Sequence, residues 1–210
     1  SIKEIPGNHA TQPTAGSRPL YQVVGGYGCA QFDGANDILQ ATGINLSSAN
    51  KALIGLAFKP NTSGLSLAYE YSANASLNDG SFYVALNEGG SGLHNLKAHA
   101  TGGGLGDTVQ PSSALALAAT TLVEYIDLTQ AAALSKITAR INGAAASLSS
   151  VADGGDSPGN FGNYDLFMGA RSGGSVASNM NLYRAFVREG SATAGEQLIL
   201  ENWLRESCGV

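Results

Sequence analysis

Short runs of alternating apolar and polar residues recur along almost the whole chain, and they constrain its fold most strongly. In LSLAYEYS (65–72) this alternation predicts a strand whose two faces carry Leu65, Leu67, Tyr69 and Tyr71 on one side and Ser66, Ala68 and Glu70 on the other. Turn residues separate such runs at the spacing expected of a sandwich or barrel. We therefore predict an all-β protein.

Eight segments fit this pattern, and we predict strands or hairpins at 52–60, 65–72, 81–89, 93–100, 119–128, 136–148, 164–172 and 181–189. Within 136–148, the pair Asn142-Gly143 strongly favours the type I′ turn of a two-residue hairpin. The glycine-rich segment VVGGYGCAQF (23–32) lies between two strand-like runs. A phosphate-binding loop would need a helix there instead.

The segment TAGEQLILENWLRESCG (193–209) has the pattern of an α-helix. Thr193 and Glu196 have the spacing of a capping box. Leu200, Trp203 and Leu204 share one face, which we expect to pack the helix onto the sheets. The only tryptophan of the chain would then be a core anchor.

Composition agrees with short strands and tight turns, and it excludes some partners. Glycine accounts for 28 of 210 residues, and charged residues for 13%, which is about half the usual share. The net charge of −5 includes no basic cluster, so we expect no nucleic-acid partner. No run approaches the ~20 apolar residues of a membrane span, so we expect no membrane insertion.

The length suits one domain, which we predict at residues 21–210, preceded by an irregular N-terminal arm at 1–20 that contains three prolines. The chain begins without methionine, and we interpret it as a fragment or processed form. Cys29 and Cys208 have no metal-ligand spacing. Two buried thiols and a disulfide joining the chain ends are both open alternatives.

Several motifs, in order, resemble the concanavalin A-like lectin/glucanase superfamily, in particular the laminin-G-like jelly rolls found in phage and prophage virion proteins. They are GNHATQPTAGSRPLYQ, CAQFDGANDILQ, ITARINGAAAS, LFMGARSGGSVASNMNLYRAFV and TAGEQLILENWLRESCGV. The resemblance covers nearly all the chain. It implies a two-sheet antiparallel β-sandwich of the jelly-roll type with a C-terminal α-helix. The fold carries many functions, so function needs a separate argument.

The acidic stretch QFDGANDILQ (31–40) is, by this resemblance, a strand, a turn and the start of the next strand. Phe32 and either Ile38 or Leu39 would face the core, and Gly34 would supply the unusual backbone angle of the turn. Asp33 and Asp37 would accept hydrogen bonds from backbone N–H groups. A local calcium site is the alternative, because carboxylate and amide oxygens suit that ion.

Catalytic motifs are weak, and we predict that the protein is not an enzyme. Glucanases of this fold carry Glu-x-Asp-x-x-Glu on one strand, so that the carboxylates share a face. Here VEYIDL offers only Glu124 and Asp127, whose odd spacing predicts opposite faces. His9, His94 and His99 form no recognisable constellation. We expect the acidic residues to lie in connections rather than to converge in a cleft.

The richest polar cluster is the loop ADGGDSPGNFGNYD (152–165). Its carboxylates and amides suit sugar hydroxyls, and its aromatic rings suit the C–H face of a sugar. We take as candidate ligand-binding residues Asp153, Asp156, Asn160, Asn163 and Tyr164. Asp153, Asp156 and Asn160 are also candidate calcium ligands. A solvated turn held by side-chain-to-backbone bonds is the alternative.

The resemblance implies a non-catalytic, lectin-like module of a phage tail, fibre or other virion protein that contacts glycans on the host surface. The alternative is a structural module for virion assembly or decoration, without glycan binding. Expected partners are cell-surface glycans, other virion subunits and further copies of the chain, in a virion or extracellular setting. No cofactor is required, with Ca²⁺ as an open option. An exposed apolar patch would favour the structural alternative.

Overall fold

The computed structural model describes residues 9–73, 78–87, 94–98, 106–112, 116–154 and 158–210, with the backbone alone for 94–98. Two seven-stranded sheets face each other. Sheet 1 has the strand order β1-β2-β14-β4-β9-β10-β11, and sheet 2 has the order β12-β8-β7-β6-β5-β13-β3. Neighbouring strands run antiparallel throughout this part of the chain. The predicted two-sheet antiparallel sandwich with a C-terminal helix is confirmed.

The strands of sheet 1 are β1 Leu20–Val24, β2 Tyr27–Asp33, β4 Lys51–Pro60, β9 Thr120–Asp127, β10 Ile137–Ile141, β11 Ala144–Ala145 and β14 Asn179–Glu189. Those of sheet 2 are β3 Leu39–Ala41, β5 Ser66–Tyr71, β6 Phe82–Leu86, β7 His94–Ala98, β8 Asp107–Pro111, β12 Leu148–Ala152 and β13 Leu166–Met168. A short helix, α1, spans Ala133–Lys136, and α2 spans Ala194–Arg205.

The main core lies between the sheets, because every second residue of the central strands points inward. In β4, Ile54, Leu56 and Phe58 are buried in this core. Their neighbours Leu53 and Ala57 point outward and are covered by α2. Strand β4 is therefore apolar on both faces, which its continuous apolar sequence reflects.

Helix α2 forms as the sequence predicts. The Thr193 hydroxyl accepts from the Glu196 N–H, and the Glu196 carboxylate accepts from the Thr193 N–H, which completes the capping box. Leu200 and Leu204 are buried against sheet 1. Trp203 packs beside Phe186, with ring centroids 6.4 Å apart. The predicted packing face is confirmed.

The hairpin at Asn142-Gly143 is also confirmed, because both residues have positive φ and Ile141 pairs directly with Ala144. Buried Glu201 of α2 accepts from the Gly143 N–H at 2.6 Å and pairs with Arg140 at 2.8 Å. The helix and the hairpin therefore hold each other. Strands β8 and β12 and helix α1 had no clear sequence signal.

The predicted face assignment of β5 is wrong in part. A register irregularity between Leu67 and Tyr69 shifts the alternation, so that Ala68, Tyr69 and Tyr71 point into the main core. Leu67 lies on the outer face, in a small cluster with Tyr83 and Ala85. A bulge inserts one residue into a strand and so reverses which residues face inward.

The expectation that acidic residues lie in connections is wrong for, among others, Glu70, Asp107 and Glu124, which are fully buried within strands. Each has a specific partner. Tyr69 donates to Glu124 across the core, Lys136 pairs with Asp107, and Arg171 lies 3.4 Å from Glu70. Buried charges and carboxyls require such partners, which sequence alternation alone does not reveal.

Near the N-terminus, residues 9–19 contain a single 3₁₀ turn and a bridge from Thr11 to Gln40 of β3. The domain limits at 1–20 and 21–210 stay a prediction. Cys29 and Cys208 are buried free thiols, and burial raises the pKa of both. Within the described residues, neither helix has the length and apolar content that a membrane span requires.

Candidate functional site

The outer face of sheet 2 carries an open depression of about 580 Å³ where β5, β13 and β3 lie side by side. Strand register places Glu70, Phe167 and Gln40 in one row across these three strands. Since residues opposite one another share a face, all three point to the outer side of sheet 2, where Glu70 and Phe167 are buried and Gln40 is half-buried. The depression is lined by Gln40, Ser72, Ala73, Asn163, Tyr164, Asp165, Phe167, Ser172 and Gly173.

Two polar contacts fix the side chains on the floor of the depression. Gln40 donates its amide N–H to Asp165 at 2.7 Å. The Ser72 hydroxyl donates to Glu70 at 2.6 Å, and Arg171 balances the charge of this fully buried carboxylate. These side chains are therefore held in place before any ligand arrives, which lowers the entropy cost of binding.

Tyr164, which forms an aromatic wall of the depression, is also held in place by its neighbours. The N–H of Tyr164 donates to the hydroxyl of Tyr71 at 3.2 Å, and the hydroxyl of Tyr164 donates to the Asp79 carbonyl at 2.8 Å. The Tyr164 ring lies so close to Gly162 that an added Cβ there would come within 2.1 Å of it. Tyr71 also meets the Tyr164 ring edge-on, with centroids 5.5 Å apart.

Burial is the main cause that raises the pKa of Tyr164, and the nearby Asp79 adds to it. Tyr164 therefore stays a neutral phenol at physiological pH. The depression thus combines a carboxylate, amide and hydroxyl groups with two aromatic rings. Such a mixture of a few fixed polar groups and ring surfaces is typical of small-molecule sites. It suits a ligand that is rich in hydroxyl groups.

The predicted ligand-binding residues are divided by the fold. Asn163 and Tyr164 line the depression. Asp153 instead accepts from the N–H of Ala133 at the start of α1, and Asn160 donates to the Ser47 carbonyl. Asp156 lies outside the described residues. The role of this set in ligand binding stays a prediction.

The predicted calcium ligands Asp153, Asp156 and Asn160 also stay a prediction, since one of the three is not described. Asp153 and Asn160 have separate protein partners, α1 and the segment at Ser47. Among the described histidine, cysteine, aspartate and glutamate side chains, no group of three or more could hold a metal ion.

The acidic turn after β2 is a structural turn, as expected. Asp33 accepts from the N–H of Ala35 at 2.7 Å, and Asp37 accepts from the N–H of Asp33 at 2.9 Å. Gly34 has a φ of 81°, the left-handed angle that favours glycine. Phe32 is fully buried in the main core. Both carboxylates of this turn are occupied by its own backbone.

The two carboxylates of VEYIDL face opposite sides, as their spacing predicts. Glu124 points into the core and accepts a hydrogen bond from Tyr69, and desolvation raises its pKa to about 8. Asp127 pairs with Lys51 at 2.9 Å at the end of its strand. They share no cleft. His94 lies in β7, and neither its side chain nor His99 is among the described parts.

Four residues of the depression carried no sequence signal of function: Gln40, Ser72, Phe167 and Ser172. Gln40 and Phe167 come from segments more than a hundred residues apart, which only strand pairing brings together. The sequence offered one hint, because strand alternation places Ser72 on the same face as Glu70. Phe161, an aromatic residue of the predicted loop, instead packs in the core against Phe82, with centroids 5.5 Å apart.

Several solved structures have a β-sandwich similar to that of this chain. A heptameric SAP-like pentraxin from Limulus polyphemus superposes with a TM-score of 0.56 at 11% identity, over 81% of this chain and 78% of the pentraxin. The CBM40 module of a Ruminococcus gnavus IT-sialidase, solved with α2,3-sialyllactose bound, gives 0.52 at 14% identity, over 78% and 97%.

A NanB sialidase from Streptococcus pneumoniae gives a TM-score of 0.55 at 15% identity, and the match covers 81% of this chain but 27% of the sialidase. The chain thus spans about a quarter of that enzyme. No protein-family model and no curated protein sequence matches the chain. Identities this low establish the fold alone: the chain has the concanavalin A-like jelly-roll sandwich that these proteins share.

Proposed function

We propose that the protein is a non-catalytic carbohydrate-binding module, and that the depression beside β13 holds the glycan. One observation carries the proposal: a preorganised set of hydroxyl-binding groups, Asp165 with Gln40 and Ser72, lies next to the half-buried ring of Tyr164 on the outer side of sheet 2. The CBM40 module with the same fold was solved with sialyllactose bound, which supports a saccharide as the ligand class.

In this proposal, Asp165 and Gln40 bind sugar hydroxyls, since a carboxylate accepts two and an amide both donates and accepts. Asn163 adds a second amide at the exposed side. The half-buried ring of Tyr164 offers surface to the C–H groups of the sugar, whereas Phe167 is largely buried and forms part of the floor. In this proposal no bond in the ligand is broken, since Asp165 is the only carboxylate among the described residues that line the depression.

Titration of the protein with a panel of mono- and oligosaccharides, followed by NMR or calorimetry, tests the proposal. We expect Asp165→Ala to weaken binding by about tenfold or more, because a hydrogen bond to a charged group contributes ~1.5–3 kcal/mol. Asn202→Ala, on the exposed side of α2, is the matched control and should bind as the wild type does. Incubation with each bound saccharide should release no product.

A second candidate function, structural assembly without glycan binding, is favoured by the edge strand β1. Leu20, Tyr21 and Val23 are 59%, 74% and 61% exposed, although they lie in a five-residue strand without charges. An exposed apolar edge strand can pair with a strand of another molecule. Light scattering of the wild type and of Val23→Lys tests this candidate, which predicts a homo-oligomer that the lysine disrupts.

We also propose the wider setting that the sequence resemblance implies: a phage tail, fibre or other virion protein, outside the host cell, in contact with other virion subunits and with host-surface glycans. Support comes from the quoted motifs alone. Adsorption of labelled protein to host cells, with competing free glycan, tests it. Binding that EDTA abolishes and Ca²⁺ restores would support the calcium ligands Asp153, Asp156 and Asn160.

A further inference from the structure

The charge of the depression restricts which saccharides it can accept. Among the described residues that line the depression, Asp165 is the only acidic one, and none is a lysine or an arginine. Within the described chain, no ion pair neutralises Asp165, and its hydrogen-bond partner is the uncharged amide of Gln40. A bound ligand therefore meets an uncompensated negative charge.

The arginines of the segment after β13 and of the N-terminal arm are already engaged. Arg171 precedes the lining residue Ser172, but its guanidinium lies against buried Glu70 at 3.4 Å. Arg18, on the arm beside β3, donates to the backbone carbonyls of Gln12 and Pro13. Each of these two cations is therefore held by other oxygen atoms.

An acidic residue, in contrast, adjoins the depression, because the backbone carbonyl of Asp79 accepts a hydrogen bond from the Tyr164 hydroxyl.

We propose that the depression around Asp165 selects uncharged, hydroxyl-rich saccharides and rejects sialylated and other anionic ones, an inference that rests on the proposed function. The carboxylate of an acidic sugar would lie near Asp165, and juxtaposed like charges are a strong means of excluding a wrong partner. A neutral sugar instead donates its hydroxyls to the same carboxylate. The CBM40 module, in contrast, was solved with sialyllactose bound.

The test is an array of neutral glycans beside their sialylated, sulfated and uronic-acid counterparts, followed by calorimetric titration of each neutral ligand found and its acidic counterpart. Lactose and α2,3-sialyllactose are the reference pair. We expect each acidic form to bind at least about tenfold more weakly than its neutral form at low salt. Added NaCl should narrow this ratio, because it screens the repulsion.

Two variants distinguish the effect of the Asp165 charge from the effect of the net charge of the protein. Asp165→Asn retains an oxygen acceptor for Gln40 but removes the charge, and it should bring the two affinities within about threefold. Glu189→Gln, at the exposed end of β14, removes the same charge elsewhere and should leave the ratio unchanged.

Each result decides a different point. An acidic glycan that binds as tightly as its neutral form overturns the selectivity while glycan binding itself stands. A ratio that Asp165→Asn does not change also overturns the inference. Failure of every glycan on the array, neutral and acidic, refutes the proposed function and this inference with it.

Discussion

The outer faces of the two sheets have the same strand geometry, but a helix covers the face of sheet 1, whereas the face of sheet 2 carries an open depression. On sheet 1, outward-facing Leu53, Ala57 and Val123 are apolar, and α2 covers them with Leu200 and Leu204. On sheet 2, the row at β5, β13 and β3 carries Glu70 and Gln40 beside Phe167, and its end remains an open depression.

This difference indicates that the two faces serve different ends. Burial of an apolar face against a helix contributes to the free energy of folding. A polar row held by its own hydrogen bonds contributes less but leaves groups for a ligand. Substitutions on the two faces should therefore separate stability from binding.

The largest expected effect is on the covered face. Leu204→Ala should lower the free energy of unfolding by about 2–5 kcal/mol, because it leaves a cavity between α2 and sheet 1. Urea unfolding measures the loss. Leu198→Ala, at a position of α2 that is 45% exposed, is the control and should change stability by less than about 0.5 kcal/mol. Equal effects at both positions would contradict the role given to the helix.

The free energy of unfolding should depend on pH through a carboxyl group in the core between the two sheets. Glu124 has a pKa of about 8 in the folded state, raised by burial from its usual 4.5. Between these values the folded protein holds a proton that the unfolded chain has released. Stability from this group is therefore greatest at low pH and falls as pH rises toward 8, by about 1.4 kcal/mol per unit.

Unfolding curves of the wild type and Glu124→Gln, taken from about pH 5 to about pH 8, test this pH dependence. The glutamine variant should lose the downward slope, whereas the exposed control Glu189→Gln should keep it. Parallel curves for wild type and Glu124→Gln would show that Glu124 is ionised in the core.

A smaller effect is expected at the start of α2. Thr193→Ala should cost about 1 kcal/mol, because the first turn loses a capping hydrogen bond. The backbone N–H of Thr193 and then Arg188 lower the pKa of Glu196 to about 2. The stability that the ionised Glu196 carboxylate contributes is therefore present above pH 4.5 and is lost as pH falls toward 2. Thermal unfolding at neutral and acid pH measures both. If the stability lost in Thr193→Ala does not depend on pH, the Thr193 hydroxyl and the Glu196 carboxylate stabilise the helix independently of each other.

The smallest effect on stability belongs to the open face. Asn163→Ala should change the free energy of unfolding by less than about 0.5 kcal/mol, because the side chain is exposed at the edge of the depression. The same variant should weaken saccharide binding measurably. Loss of stability without loss of binding would reverse the comparison between the two faces.

Much of the fold could be predicted from local sequence. Apolar or alternating runs located β4, β9 and β14, the Asn142-Gly143 pair located a hairpin, and Thr193 with Glu196 located the start of α2. These signals are local because turn angles and capping bonds depend on a few neighbouring residues. In β5, Leu67 and Ala68 were assigned to the wrong faces, since the bulge between Leu67 and Tyr69 is set by pairing with β6.

The site was less predictable. Asn163 and Tyr164 were found because they lie in an unusually polar loop, but Asp153 and Asn160 of that loop have partners elsewhere. Gln40 and Phe167 carried no local sign of function. Their neighbourhood depends on the antiparallel register of β13 with β3.

The sequence by itself therefore determined the strands, the turns and the capped helix, because these depend on side-chain periodicity and local backbone angles. Only the tertiary structure decided that Gln40, Ser72 and Asp165 meet at one depression, and that Glu70 and Glu124 are buried with partners. The physical reason is that strand pairing joins distant segments, and the order of strands in a sheet is a property of the whole chain.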